Sequence, residues 1–167
     1  MKKLKQSGFG TPAVMAGMVL VAMLAALYFW GAPVYRDRQV QGQLDEVLAS
    51  AVVCRVQVER AVKESTAPAL STALFGCDGG AASGLKISKH LKSIAIANAG
   101  AITVTIDYRT LPQLTPFTNT LTVVPLVDAS NALSTADVKK NIAGWRCGSP
   151  QDGTTVPSKY LPANCRG

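Results

Sequence analysis

The sequence predicts an α+β fold, with one long N-terminal α-helix packed on a C-terminal antiparallel sheet of about four strands. Three observations predict it. An uncharged apolar run fills Ala13 to Trp30. Apolar residues then recur at steps of three and four from Val40 to Val62. Short stretches of alternating polarity, clearest from Ala101 to Tyr108, occupy the second half.

The apolar run predicts the first half of the helix. Its 18 residues carry no charge. As a helix they would span roughly 27 Å, close to the thickness of a bilayer's hydrocarbon core. Lys2, Lys3 and Lys5 precede the run, and Arg36, Asp37 and Arg38 follow it, which favours a cytoplasmic N-terminus. A removable signal peptide has a shorter apolar region and no reason to continue into an amphipathic helix. Tyr28, Phe29, Trp30 and Tyr35 read as an aromatic belt at the membrane interface.

The helix then turns amphipathic. Val40, Leu44, Val47, Leu48, Ala51, Arg55, Val58 and Val62 are predicted on its inner stripe, with Asp45, Glu46, Glu59, Arg60 and Lys63 largely on other faces. Arg55–Glu59, Glu59–Lys63 and Arg60–Glu64 are candidate charge pairs four residues apart. Pro33 should kink the helix or remove one hydrogen bond. Ala67–Pro68 ends the pattern, after about 50 helical residues.

Residues 65–84 read as a loop with at most one helical turn. Lys89 to Ala97 predicts a first strand, with Ile94 and Ile96 on one face, and Asn98-Ala99-Gly100 a turn. Ala101 to Tyr108 predicts a second, whose Ile102, Val104, Ile106 and Tyr108 face should pack on the Val40–Val62 stripe. Leu121 to Val127 predicts a third, where Pro125 suggests an edge strand or a strand end. Ile142 to Cys147 is a possible fourth.

Composition narrows the chemistry. The chain has 167 residues, enough for one domain of ordinary size. It is 48% apolar and only 16% charged, which excludes a disordered chain. There is one His, His90, and the four Cys form no close pair, so a metal centre is not expected. No nucleophile–base constellation appears, so neither catalysis nor a cofactor is expected. Asp78-Gly79-Gly80 and Asp152-Gly153 read as turns. His90 reads as a strand-surface residue.

The net charge is +7, of which Lys2, Lys3 and Lys5 contribute three. Lys86, Lys89, His90 and Lys92 form one basic group; Lys139, Lys140, Arg146, Lys159 and Arg166 form another. Each is either a solvated surface or an electrostatic contact for DNA, acidic glycans or cell envelopes. Four Cys allow three pairings, and the even count in an exported chain favours disulfides.

Several motifs resemble the type IV pilin family. Met1 to Phe9 looks like a prepilin leader, short and basic, ending in Gly8 with Phe9 as the first mature residue. Ala32-Pro33-Val34-Tyr35 looks like the family's proline-tyrosine stretch. Ile87 to Ile106 resembles the first two strands of type IVa pilins, including the Asn-x-Gly turn. Gly144-Trp145-Arg146-Cys147 and Tyr160-Leu161-Pro162-Ala163-Asn164-Cys165-Arg166 look like the two ends of the disulfide-bounded region. One departure stands out: the family's usual Glu, four residues after the Phe, falls on Ala13.

The resemblance implies a pilin fold and three segments: residues 1–8 a leader, 9–35 the membrane and filament-core helix, 36–167 the globular domain. It implies cleavage and N-methylation between Gly8 and Phe9 by a prepilin peptidase, and the bond Cys147–Cys165; Cys54–Cys77 is the expected second pair, stapling the end of the helix to the loop after it. It also implies an inner-membrane precursor that the assembly machinery polymerises with other pilin subunits into an extracellular pilus. Such a pilus serves adhesion, twitching motility or DNA uptake. The alternatives within the family are a minor tip pilin acting as an adhesin or DNA receptor, and a pseudopilin of a type II secretion system.

Overall fold

The structure is a computed structural model and describes residues 11–77 and 88–167. Gly8, Phe9, Lys86 and Asp78-Gly79-Gly80 lie outside the described residues. Among those described, one α-helix precedes a four-stranded antiparallel sheet. The chain divides into two compact units between Arg38 and Gln39.

Helix α1 runs from Thr11 to Glu64, 54 residues, and continues through Pro33. The proline has no N–H for the carbonyl four residues earlier, so one ladder bond is lost without ending the helix. The helix stops where Ser65 takes over its last turn. The Ser65 N–H still donates to Ala61 O at 3.0 Å, while its Oγ accepts the Ala67 N–H at 3.1 Å. A serine that bonds the backbone two residues on offers a turn in place of the next helical bond.

Strands β1 (Leu91–Ile96), β2 (Ile102–Ile106), β3 (Thr120–Leu126) and β4 (Gly144–Cys147) lie side by side in chain order, all antiparallel. In β2, Ile102, Val104 and Ile106 are fully buried between half-buried threonines, the period of two expected of a strand. In β1 the period breaks. Leu91 pairs with Ile106 but Ser93 with Thr105, so Lys92 is an extra residue, and Lys92 and Ser93 both face solvent. The β1–β2 turn needs Gly100. Its φ is +78°, and a Cβ there would come within 2.7 Å of Val58 Cγ1.

One expectation needs correction, and one alternative is decided. On α1 the buried stripe is Val40, Leu44, Val47, Ala51, Cys54, Val58 and Val62. Cys54 takes the place expected for Arg55, which is half-buried, as is Leu48. Pro125 marks a strand end but not an edge strand, because β3 is flanked by both β2 and β4. It is tolerated because β2 ends opposite Val123. There Pro125 need only accept, which its carbonyl does from the Leu133 N–H at 2.8 Å.

The side of β3 that outruns β4 is completed by the C-terminal loop. Thr155 and Val156 N–H groups both donate to Thr120 O, and Gly148 N–H donates to Thr122 O. That cover explains why Leu121 through Leu126 are all buried instead of alternating.

Candidate functional site

The first candidate is the N-terminal half of α1. Val19, Leu24, Leu27 and Phe29 are 55–75% exposed. The helix is long and apolar enough to cross a membrane. Tyr28 and Phe29 meet edge to face, with ring centroids 6.1 Å apart. Met23, Leu27, Gly31, Val34, Tyr35 and Arg38 fall on one face and line a shallow apolar groove. Apolar surface of this extent is stable only when lipid or another protein covers it.

The second candidate is the C-terminal loop, residues 148–165. It contains three short 3₁₀ turns, Pro150–Asp152, Ser158–Tyr160 and Ala163–Cys165, so regular backbone pairing holds little of it. Cys147 and Cys165 are bonded across its mouth with Cα atoms 4.5 Å apart. Cys54 and Cys77 are bonded likewise, 5.8 Å apart, joining α1 to the loop after it. Gly148 has φ +79°, and a Cβ there would collide with the Cys165 carbonyl oxygen, so only glycine lets the chain pass. Inside the loop, Thr154 Oγ1 accepts the Thr122 N–H at 3.1 Å and lies 2.7 Å from Thr122 Oγ1. Arg146 clamps Asp152 through two bonds, Nε–Oδ2 at 2.7 Å and Nη2–Oδ1 at 2.8 Å. That hydrogen-bonded carboxylate raises the Arg146 pKa.

Trp145 ties this region back to the helix. Its Nε1–H donates to Glu59 Oε1 at 2.7 Å, and the Arg55 guanidinium lies 5.0 Å from its ring centroid. Arg55 and Glu59 thus engage the same tryptophan, where the sequence pattern had paired them with each other.

The C-terminal basic residues are not gathered into one patch. The Lys139 N–H caps the end of α1 by donating to Val62 O at 2.9 Å, at φ +62°. The Lys159 carbonyl accepts from Gln41 Nε2 at 2.7 Å. Gln41 and Val62 stand roughly 30 Å apart along the helix at 1.5 Å per residue. Lys140 pairs with Asp137 at 2.7 Å. Bonds from Lys140 and from the Ser134 hydroxyl and N–H pull the Asp137 pKa down to about 2. The Lys159 ammonium lies 4.4 Å from the centroid of the Tyr160 ring. Arg166 Nε donates to Leu161 O at 2.9 Å. Arg146 and Arg166 do share a groove, with Trp145, Asn164 and Gly167.

His90 is not a strand-surface residue but is 3% exposed, in the turn before β1. Thr110 Oγ1 donates to the Asp107 carbonyl at 2.8 Å, so it accepts from His90 Nδ1–H, also at 2.8 Å. The other ring nitrogen, Nε2, is buried without a partner among the described residues. Burial first, and the nearby Lys89 charge second, lower the His90 pKa, so the ring is neutral and leaves the basic group. Thr110 belongs to a segment distant in sequence, so no local pattern signals this burial.

Most of the chain matches a solved fold. A crystal structure of a Pseudomonas aeruginosa (strain Pa110594) type IV pilin aligns with TM-score 0.55 and 22% identity, over 76% of this chain and 97% of that one. The fold is therefore that of a type IV pilin. The model of the pilin family, bacterial filament proteins, matches residues 40–166, and the chain belongs to that family. Comparison with curated proteins gives no match. The family resemblance and the expected α+β fold both hold, and the chain is a pilus subunit.

Proposed function

We infer that the chain is a structural subunit of a type IV pilus that serves adhesion and twitching motility, with no catalytic role. Residues 9–35 hold the precursor in the inner membrane. A prepilin peptidase cuts between Gly8 and Phe9 and methylates the new amino terminus. The assembly machinery then moves the apolar helix from lipid into a core made of other copies. The observation that carries this reading is the exposed apolar half of α1, beside a second half that buries the same kinds of side chain at 0–1% exposure. Contact with surfaces falls to the C-terminal loop closed by Cys147–Cys165. A DNA receptor is less well supported, because Arg146 and Lys140 already pair with Asp152 and Asp137.

Mass spectrometry of the subunit from purified filaments tests the reading. The mature chain should begin at Phe9 and carry one methyl group. A start after Ala32 would overturn it. Ala13, where the family has a glutamate, favours one second reading, a tip subunit with no neighbour's amine to neutralise. Labelling should find subunits evenly along the filament in the first case and at one end in the second.

A further inference from the structure

We propose that Arg146 guards Asp152–Gly153, a latent site of backbone isomerisation, by holding the Asp152 carboxylate away from the Gly153 amide nitrogen. The proposal is independent of the filament reading, since it concerns the chemistry of the loop itself. An aspartate followed by glycine is the pair most open to this reaction, because no side chain shields the glycine nitrogen.

The reaction needs only water. The Gly153 nitrogen bonds to Asp152 Cγ. One carboxyl oxygen departs as water, taking the carboxyl proton and the amide proton, and a cyclic imide is left. Water then opens the ring at either carbonyl. Opening at the former main-chain carbonyl gives isoaspartate, with the mass unchanged and one more carbon in the main chain.

Both reacting groups are held against that step. Arg146 stands on β4, its backbone paired opposite Val124 of β3. Its guanidinium donates to Asp152 Oδ2 at 2.7 Å and to Oδ1 at 2.8 Å, so neither oxygen is free to leave as water. A third bond, from Nη1 to Ser130 O at 3.3 Å, fixes the guanidinium in turn. The Asp152 side chain is 13% exposed. The nucleophile is engaged as well, because the Gly153 N–H donates to Pro150 O at 3.1 Å within the 3₁₀ turn. Attack requires these bonds to be lost and the carboxyl carbon to swing onto the nitrogen.

What the guard protects is the footing of the loop on the sheet. The Asp152 and Thr154 N–H groups both donate to Ser149 O, at 3.1 and 3.3 Å. Thr154 is the residue after Gly153, and it holds Thr122 of β3. One extra main-chain carbon between Ser149 and Thr154 puts those bonds out of register. The Cys147–Cys165 bond does not prevent this, because it closes the ends of the loop and not the turn inside it.

The test ages the full-length chain in detergent at neutral pH for several weeks and maps its peptides. The isoaspartyl form of the Asp152 peptide has the same mass, elutes apart, and accepts a methyl group from a protein isoaspartyl methyltransferase. The wild-type chain unfolded in denaturant sets the unguarded rate. Folded wild type should isomerise at least about tenfold more slowly, the factor that breaking a charge-assisted pair of bonds withholds. Folded Arg146→Gln should move most of the way to the unguarded rate. Arg146→Lys, which keeps the charge and loses the fork, should fall between. Thr154→Val loosens the turn with the clamp intact and should stay near wild type. Recovery of the Cys147–Cys165 peptide shows that the loop is closed in each variant. If Arg146→Gln loses that link, Arg146→Lys decides alone, and a wild-type rate there overturns the guard. A wild-type rate in closed Arg146→Gln overturns it as well. So does an equal rise in Thr154→Val, which would place the protection in the backbone of the turn. Folded wild type that isomerises at the unfolded rate would show that no guard exists.

Discussion

The two halves of α1 are made of the same side chains and meet opposite fates. Val19 is 55% exposed and Val47 is fully buried; Leu24 is 60% exposed and Leu44 fully buried. Apolar content does not separate them, but spacing does. In the second half, charges interrupt the apolar residues every turn, and what remains is one stripe that the chain's own sheet covers. In the first half no charge interrupts, so no face is reserved for water, and the apolar side chains described there stand exposed. The first half is addressed to other molecules and the second to its own fold.

That contrast can be broken most directly by removing the same atoms from each half. Leu44→Ala should destabilise the full-length subunit in detergent by about 2–5 kcal/mol in denaturant unfolding. Leu24→Ala should cost under about 0.5 kcal/mol, as exposed substitutions do. Equal costs would mean that the first half packs on its own chain after all.

A comparable loss, about 2–5 kcal/mol, is expected from Cys165→Ser, because the C-terminal loop has little regular structure to hold it once opened. Peptide mapping of the intact chain should recover Cys147 linked to Cys165 and Cys54 linked to Cys77. A Cys54–Cys147 peptide would show that the packed unit is closed differently.

Smaller is Trp145→Phe, which removes the donor to Glu59 and should cost about 1.5–3 kcal/mol at most for a bond to a charged acceptor. The cost should shrink in the Glu59→Gln background, where the acceptor is neutral.

The smallest effect concerns pH. The folded His90 pKa lies below its unfolded value, so the unfolded chain takes the proton first. Stability should be complete above about pH 6.5 and fall as pH drops below it. Asp137 acts lower, being lost only as pH falls from about 3.8 toward about 2. Thermal melts of His90→Gln should lose the slope below pH 6.5 and keep the one at lower pH.

Much of this was legible in the sequence, and the misses have physical causes. The second half of the helix and strand β2 carry periods of 3.6 and 2, which burial imposes directly. Cys54 and Arg55 both satisfy helical spacing from Ala51, so only the packing decides between them. The place of Pro125 depends on where β2 ends, which is a matter of topology. His90 is buried by a threonine twenty residues away. Residues 109–119 and 128–140, on either side of β3, carry no period because side chains hold their turns. There Asp128 accepts the Ser130 and Asn131 N–H groups, and Asp137 accepts the Ser134 N–H. Ser134-Thr-Ala-Asp137 did carry a readable sign, a hydroxyl and a carboxylate three residues apart, as in a cap.

The extra residue in β1 bears on how such a protein survives at high local density. A chain destined to crowd against its own copies must not also stick to them through open sheet edges. At one edge of the sheet, Lys92 is bulged out of register and exposed; at the other, β4 has only four residues. A kinked, charged border and a short one are poor templates for another chain's backbone. Amyloid-like stacking is thereby disfavoured at both borders, and self-association is left to side chains that can be placed, matched and released.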